Sequence, residues 1–246
     1  MKRFKFLSLP LIVAALFFLS SCGGDANTSD ASADSSGRTT ADTPTLATNT
    51  IVTTPQGMML VTHTVSNFEK WVAAYEANDS LRLANGIHSY VVGRSMPDSN
   101  VVFVATKVDD MEKAKAFAKS PDLKQAMRQS GVVGAPAISF VTTTWQDTVM
   151  LSPSTLRSRT TFSVKDWAAW EKNFVDGKQE RIANGIVDRS YGHEADDNKK
   201  VSLVTAVTDT AKAFAYYKSD ELKKRRAAGG VISEPKRFLF YVVKRY

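Results

Sequence analysis

The spacing of apolar residues changes period several times from residue 58 onward. The run from Met58 to Val65 predicts a β-strand. Ser66 and Glu69 follow with the spacing of a capping box, so we expect a helix with Ser66 as its N-cap. That helix carries one apolar stripe, whose side chains lie three, four and seven positions apart: Phe68, Trp71, Val72 and Tyr75.

A hairpin is expected after this helix. Gly86 stands where the end of a helix needs left-handed backbone. Two strands follow, approximately Ile87–Arg94 and Val101–Val108, and the polar segment Met96–Asn100 between them has the length of a hairpin turn.

A second helical segment and a last strand complete the pattern. Asp110 is suited to cap the helix, and Ser120 followed by proline predicts a new helical turn, since proline at the first helical position gives up no hydrogen bond. Gly131 should end that helix, and Pro136 should introduce the last strand, Ile138–Trp145. The resulting order, βαββαβ, is the ferredoxin-like arrangement.

The same pattern recurs 99 residues later without a gap. Ala84–Ile87 returns as Ala183–Ile186. Further matching pairs are Trp71 and Trp170, Arg82 and Arg181, Asp110 and Asp209, Ser120 and Ser219, Leu123 and Leu222, Gly131 and Gly230, and Pro136 and Pro235. A duplication without insertions indicates that each copy is one structural unit whose spacings are fixed by packing.

Some strands are apolar at consecutive positions, as in Val101–Val104 and Phe238–Val243, so both of their faces should be buried. The helices of one unit cover only one face of its sheet. Two copies packed sheet to sheet would cover the other face by forming an eight-stranded barrel with the helices outside. The predicted fold class is therefore α+β, with two tandem βαββαβ units forming a pseudo-dimeric α/β barrel within one monomeric chain.

The N-terminus has the plan of a bacterial secretory signal. Three basic residues precede an apolar stretch of about 14 residues, which is too short to span a bilayer. Leu19–Cys22 then resembles the lipobox, whose cysteine is lipidated, and Cys22 is the sole cysteine of the chain. The alternative is a simple cleaved signal with an incidental cysteine. With Gly23 next to it, Cys22 predicts a lipid anchor in the cell envelope, at the outer membrane facing the periplasm.

The composition of the next segment predicts a disordered tether, because its Gly, Ser, Thr, Asp and Ala residues bury too little apolar surface to offset the entropy of ordering. The predicted organisation has five parts: a lipoprotein signal peptide with lipobox (1–22), the tether (23–57), the first repeat (58–147), an inter-repeat linker (148–156) and the second repeat (157–246).

The formal net charge of +7 comes entirely from the second repeat, since the signal and tether cancel and the first repeat is neutral. The run Lys223–Arg226 concentrates part of this charge on one predicted helix. It could face anionic lipid or an acidic partner, or it could be an ordinary solvated helix face. A nucleic-acid partner is not expected, because no aromatic residue interrupts the run.

One set of residues in the first repeat resembles a known group of proteins. The set comprises His63, Val65, Trp71, Arg82, Gly86, Asp98–Asn100, Ala114, Phe117, Ser120, Pro121, Leu123, Met127, Gly131, Val132, Gly134 and Pro136. It is similar to the dimeric α/β-barrel superfamily, and more narrowly to proteins grouped with the antibiotic-biosynthesis monooxygenases. Because members are usually homodimers of one unit, the resemblance implies a fused pseudo-dimer. It also implies a ligand pocket between the sheet and its helices, as in the related haem-degrading enzymes.

His63 is the strongest candidate for a functional side chain. It shares a strand face with Val61 and Val65, so it should point towards the helices near Trp71 and Tyr75. A histidine there could act as a base or a haem ligand, or it could be a hydrogen-bonded core residue. Phe162 occupies the equivalent position of the second repeat and shows that an apolar side chain is tolerated.

The other candidate ligand-binding residues are Trp71, Tyr75, Arg82, Trp170 and Arg181. The aromatic residues could equally be ordinary core. The paired arginines could meet a ligand carboxylate, or they could cap a helix C-terminus. The two pockets should differ, since His193 and Arg226 replace Arg94 and Met127.

Two functional hypotheses remain open. The favoured one is a non-catalytic envelope protein that binds a small apolar or aromatic molecule, or a protein partner. The alternative is a cofactor-independent monooxygenase or haem-handling enzyme that uses His63 in the first repeat. No metal site, phosphate loop or nucleophile elbow is indicated, and no cofactor is predicted.

We predict that Cys22→Ser moves the protein from the membrane fraction to the soluble periplasmic fraction, because the acyl chains provide its membrane affinity. Immunoblotting of fractionated cells measures this. Unchanged membrane association in the variant would show that the lipobox assignment is wrong.

Overall fold

The structure, a computed structural model, describes residues 49–246. The predicted signal peptide, Cys22 and most of the predicted tether lie outside these residues. The strands are β1 Ile51–Val52, β2 Gln56–Val65, β3 Ile87–Ser95, β4 Val101–Val108, β5 Val132–Asp147, β6 Leu156–Ser163, β7 Ile186–Glu194, β8 Asp197–Val207 and β9 Lys236–Arg245. The helices are α1 Phe68–Ala77, α2 Asp79–Leu83, α3 Met111–Lys119, α4 Pro121–Gln129, α5 Trp167–Asp176, α6 Lys178–Ala183, α7 Thr210–Lys218 and α8 Asp220–Ala228.

The strands form one antiparallel sheet that closes into a ring. Their order is β1-β5-β2-β4-β3-β9-β6-β8-β7, and β7 also pairs with β5. Each repeat contributes four neighbouring strands in ferredoxin-like order, and β1 is added to β5. The predicted fold class, two βαββαβ units in an eight-stranded α/β barrel, is therefore confirmed.

Two seams join the repeats. In one, β3 pairs with β9, with Val91 opposite Arg245 and Ser95 opposite Phe240. In the other, β5 pairs with β7, with Val141 opposite Glu194. The edge strands that a single unit would expose are thus hydrogen-bonded, and the ring has no free edge.

The sheet separates two kinds of core. On β4, Val102 and Val104 pack with Trp71 against the helices of the first repeat. Phe103 and Ala105, on the opposite face of the same strand, pack with side chains of other strands inside the barrel. The prediction that β4 is buried on both faces is confirmed.

The same prediction for β9, the last strand of the second repeat, is only partly correct. Phe240 is buried in the barrel interior, and Leu239 packs against the helix side of the second repeat. Tyr241 and Val243, however, are exposed, because the helix-side core of that repeat ends at Leu239.

Three further expectations need correction. The N-cap of α1 is Asn67, whose side chain accepts from the Lys70 amide, so Ser66 lies just outside the helix. The last strand of the first repeat begins at Val132, and Pro136 lies inside it within a bulge, where its missing N–H interrupts no ladder. The end of the predicted tether is ordered, since Ile51 and Val52 pair with β5.

Other turn and cap residues act as predicted. Gly86 and Gly185 have φ of 65° and 68°, in the left-handed region that follows a helix. Asp110 and Asp209 cap α3 and α7 with their side chains. Within residues 49–246, none of the helices has the length and apolar character needed to cross a bilayer.

Gly93 and Gly192 are equivalent residues of the two repeats, and each lies at a seam. A Cβ at Gly93 would come 2.5 Å from Cδ2 of the Phe240 side chain and 3.1 Å from the Tyr241 carbonyl oxygen. A Cβ at Gly192 would collide with the backbone carbonyl oxygen of Thr142 and would lie 2.7 Å from Cα of Thr143. Barrel closure therefore requires glycine at position 192 more strictly than at 93.

We expect Gly192→Ala to destabilise the protein by about 2–3 kcal/mol, or roughly 5–10 °C in Tm, because the backbone of β5 must shift. Gly93→Ala is the matched control and should cost about half as much, since its most severe contact is with a side chain and not with backbone. Thermal unfolding followed by circular dichroism measures both. Equal effects of the two substitutions would contradict the assignment of the β5–β7 seam as the tighter one.

Candidate functional site

A cavity lies between the sheet and the helices of the first repeat. Its volume is about 70 Å³, and its walls are almost entirely apolar. They are formed by side chains of β2, β4, α1, α3 and α4, with Met59, Val61, Val104, Phe117, Leu123 and Met127 among them. Two half-buried polar residues, Asn78 and Ser130, also line it, and no sequence pattern had singled them out.

His63 is a buried polar residue that lines this cavity. Its residue is only 6% exposed, and its ring centroid lies 5.3 Å from that of Trp71. Neither Nδ1 nor Nε2 has a hydrogen-bond partner. Burial lowers the pKa of His63 from 6.5 to about 4, so its imidazole is neutral at physiological pH. The orientation predicted from the strand pattern is the one observed.

The His63 position arises from the local fold. The β2 side chains alternate between the barrel interior and the helix side, which places His63 with Val61 and Val65. The bulge in β5 lies directly opposite His63, where the β2–β5 register shifts between Thr62 and Thr64.

The Trp71 and Tyr75 rings are stacked beside His63, with centroids 5.2 Å apart. Tyr75 is fixed at its other end, since its hydroxyl is hydrogen-bonded to Oγ of Ser89 at 2.8 Å. Burial raises the pKa of Tyr75, so its hydroxyl remains protonated. The first cavity therefore contains a neutral imidazole beside an aromatic wall.

Arg82 lines the cavity but donates to groups of the protein. Its guanidinium lies 3.7 Å from the centre of the Tyr75 ring and donates to the Tyr75 carbonyl oxygen at 2.6 Å. It also donates to Asp79 at 2.9 Å and to Ser89 at 3.2 Å. This is the helix-capping alternative considered for the residue, and contact between Arg82 and a ligand stays a prediction.

Arg181 repeats this arrangement with a stronger partner. It donates to both carboxylate oxygens of Asp188, at 2.8 and 2.7 Å, and to the Phe174 carbonyl oxygen at 2.6 Å. Both members of the Arg181–Asp188 pair are buried. Removing either charge would leave the other buried and unpaired, which gives the pair a structural role.

The second repeat has an equivalent cavity of about 80 Å³, which contains Phe162, Trp170 and Arg181. Its chemistry differs from that of the first cavity. Arg226 and Arg237 line it at positions equivalent to Met127 and Ile138. The six residues predicted to bind ligand are therefore divided between two unequal cavities, with His63, Trp71, Tyr75 and Arg82 in the first.

The basic run on α8 is divided between solvent and this second cavity. Lys223 and Lys224 are exposed, whereas Arg225 and Arg226 are half-buried and line the cavity. Arg225 donates through Nε to Glu180 at 2.6 Å. The run is therefore not one continuous cationic face, although binding of its lysines to an anionic surface stays a prediction.

The remaining histidines lie elsewhere. His88 is exposed and pairs with Asp109, and the ring of His193 lies 4.9 Å from that of Trp167. Among residues 49–246, no group of three or more histidine, cysteine, aspartate or glutamate side chains is arranged to hold a metal ion.

No family model and no curated protein sequence matches this chain. Solved structures do match. A candidate monooxygenase from Fusobacterium nucleatum subsp. nucleatum has a TM-score of 0.52 at 12% identity, over 77% of this chain and 93% of that one. An anthrone oxidase-like protein has a TM-score of 0.52 at 14% identity, over 80% and 95%. A candidate chlorite dismutase has a TM-score of 0.50 at 16% identity, over 77% and 95%.

These similarities agree with the ring of eight strands. The chain has the dimeric α/β-barrel fold, built from two repeats of one polypeptide. At identities this low the similarity extends to the fold, and the chemistry has to be inferred from this chain's own residues.

The buried His63 predicts a specific pH dependence of stability. The unfolded chain binds a proton at His63 near pH 6.5, and the folded chain only near pH 4. Between these values the unfolded state binds more protons, so stability falls as the pH drops through this window. This difference in pKa between the unfolded and folded chain corresponds to a loss of roughly 3 kcal/mol in the free energy of unfolding.

Urea denaturation at pH 7 and pH 4 measures this loss, and the His63→Phe variant is the control because its side chain does not titrate. The wild type should lose roughly 3 kcal/mol more than the variant between the two pH values. An equal loss in both proteins would show that His63 is not buried in its neutral form.

Proposed function

We propose that the first-repeat cavity binds a small aromatic molecule that carries a hydroxyl group, such as a phenol or quinol, without converting it. The observation that carries this proposal is the buried His63 imidazole, whose two ring nitrogens have no hydrogen-bond partner in a mostly apolar cavity. A buried polar group without a partner costs about 1–3 kcal/mol, and a ligand hydroxyl would remove that cost.

The walls of the cavity favour an aromatic ligand. Trp71 and Tyr75 offer a stacked aromatic surface, and Met59, Val61 and Met127 offer apolar and polarisable contacts. The neutral imidazole can donate at one nitrogen and accept at the other, so it pairs with a hydroxyl in either direction.

The size of the cavity limits the ligand. A volume of about 70 Å³ holds a few water molecules, so a single aromatic ring would fill it. A porphyrin is far larger than this space. The residues present therefore do not fit haem.

Binding is better supported than catalysis by His63. An imidazole with a pKa of about 4 is a weak base at neutral pH, whereas an efficient general base has a pKa near the operating pH. The other titratable groups lining the cavity are Tyr75, which burial keeps protonated, and Arg82, which is hydrogen-bonded within the protein.

The second candidate function is cofactor-independent oxygenation of such a molecule. It is favoured by the fold shared with a candidate monooxygenase and an anthrone oxidase-like protein. In this alternative, His63 would accept the phenolic proton and leave an electron-rich phenolate to react with oxygen. The apolar walls would exclude water from that phenolate.

The proposed location is the bacterial cell envelope, where Cys22 would anchor the protein to the outer membrane through its lipid. The lipobox-like sequence before Cys22 supports this proposal. The chain is further proposed to act as a monomer, since its two repeats pair their own edge strands at both seams.

The binding proposal is tested by calorimetric titration of the full-length mature chain carrying Cys22→Ser with phenol and with toluene, which has a similar shape but no hydroxyl group. We expect His63→Phe to weaken phenol binding about tenfold, the value of one hydrogen bond, and to leave toluene binding unchanged. Phe162→Leu, in the second cavity, is the matched control and should change neither affinity.

The same samples distinguish the two functions. Oxygen consumption with hydroquinone that disappears in His63→Phe would favour the oxygenase. Phenol binding without oxygen consumption would favour the binding protein. Phenol affinity that is the same in the wild type and in His63→Phe would refute both, because each depends on His63.

A further inference from the structure

A third cavity, which we call the lumen cavity, lies inside the barrel on the face of the sheet opposite the helices. Its volume is about 80 Å³. All eight strands of the ring contribute to its walls, with Leu60, Val91, Phe103, Val141, Arg157, Arg189, Val204 and Phe240 among the lining residues. It is therefore separated by the sheet from the first-repeat cavity that contains His63.

Three arginines line the lumen cavity: Arg157, Arg189 and Arg245. Arg157 is only 3% exposed, and it donates to the Thr155 carbonyl oxygen at 2.8 Å. Among residues 49–246, no carboxylate forms a salt bridge with Arg157 or Arg245. Arg189 differs from them, because it donates to the Asp147 carboxylate at 2.9 Å and to two backbone carbonyl oxygens at 2.6 Å.

The electrostatics of this cluster are unbalanced. Asp147 is the carboxylate that lines the cavity with the three arginines, so positive charge is in excess there. Burial, together with repulsion from Arg189 and Arg245, lowers the pKa of Arg157 to about 10. A buried cation without a counter-charge is costly, and a bound anion is the partner that would compensate it.

The duplication shows that the barrel does not need these charges. The residues of the first repeat equivalent to Arg157, Arg189 and Arg245 are Met58, Tyr90 and Gln146, and these three line the same cavity. Gln146 donates to the Tyr90 hydroxyl at 2.7 Å, so the neutral set is satisfied internally. At these three positions the first repeat is therefore neutral and hydrogen-bonded, whereas the second repeat is cationic.

We propose that the lumen cavity is a second ligand site, which binds a small organic carboxylate. The carboxylate would pair with Arg157 and Arg245, and the apolar body of the ligand would lie against Leu60, Phe103 and Phe240. Guanidinium groups suit this role because their planar donors match the two oxygens of a carboxylate. Arg189 would stay with Asp147 and position the cluster.

The test compares the full-length mature chain carrying Cys22→Ser with the variant Arg157→Met/Arg245→Gln, which installs the residues that the first repeat already has at these positions. Thermal unfolding is measured with sodium benzoate, sodium phosphate or sodium chloride at equal ionic strength. Benzoate at about ten times its Kd should raise the Tm of the wild type by roughly 3–5 °C in a saturable manner.

The variant should lose this benzoate response and should have a higher Tm than the wild type in chloride alone, since its buried charges are gone. Lys199→Gln/Lys224→Gln removes two exposed charges of the same repeat and is the matched control, which should keep the benzoate response.

Two results would overturn the proposal. One is a wild-type Tm that benzoate does not raise, or raises equally in Arg157→Met/Arg245→Gln. The other is a phosphate effect as large as that of benzoate, which would show that the apolar wall contributes nothing. His63→Phe should leave the benzoate response unchanged. The proposals for the lumen cavity and for the first-repeat cavity are therefore tested independently.

Discussion

The structure depends on covering both faces of each four-stranded sheet. Strand β4 carries Val102 and Val104 on one face and Phe103 and Ala105 on the other, and each pair lies in a different core. Helices α1 to α4 can bury only one of these faces. The second repeat buries the other and at the same time pairs the free strand edges, so hydrophobic burial and backbone hydrogen bonding both favour ring closure.

Because the two units are parts of one chain, equivalent positions of the two repeats can carry different residues. In a homodimer, a substitution appears on both sides of the symmetry axis. Here, Met58 and its equivalent Arg157 line the same lumen, and His63 has Phe162 as its equivalent. The fold tolerates both members of each pair, so the differences report on local chemistry more than on stability. Both proposed sites lie where the two repeats differ in this way.

Buried groups that lack a hydrogen-bond partner or a counter-charge point to the two sites. The ring nitrogens of His63 have no hydrogen-bond partner. The buried Arg157 guanidinium donates to the Thr155 carbonyl oxygen but forms no salt bridge with a carboxylate among residues 49–246. By contrast, Arg82 and Arg181 are also buried, and their donors are used by carbonyl oxygens and carboxylates nearby. Burial alone therefore does not separate a binding residue from a structural one. The two kinds of residue are separated by whether the buried group has a hydrogen-bond partner or a counter-charge within the protein.

The sequence by itself determined the repeat, the order of its elements and the side of the sheet on which His63 lies, because these follow from local periodicity and from a fixed 99-residue offset. It misplaced the α1 cap by one residue and the start of β5, since neighbouring Ser66 and Asn67 can both cap and a bulge can accommodate Pro136. Only the tertiary structure decided which arginines are paired and brought Arg157, Arg189 and Arg245 into one lumen. Those residues lie on three different strands, and the closure of the ring, which no local pattern encodes, places their charges together.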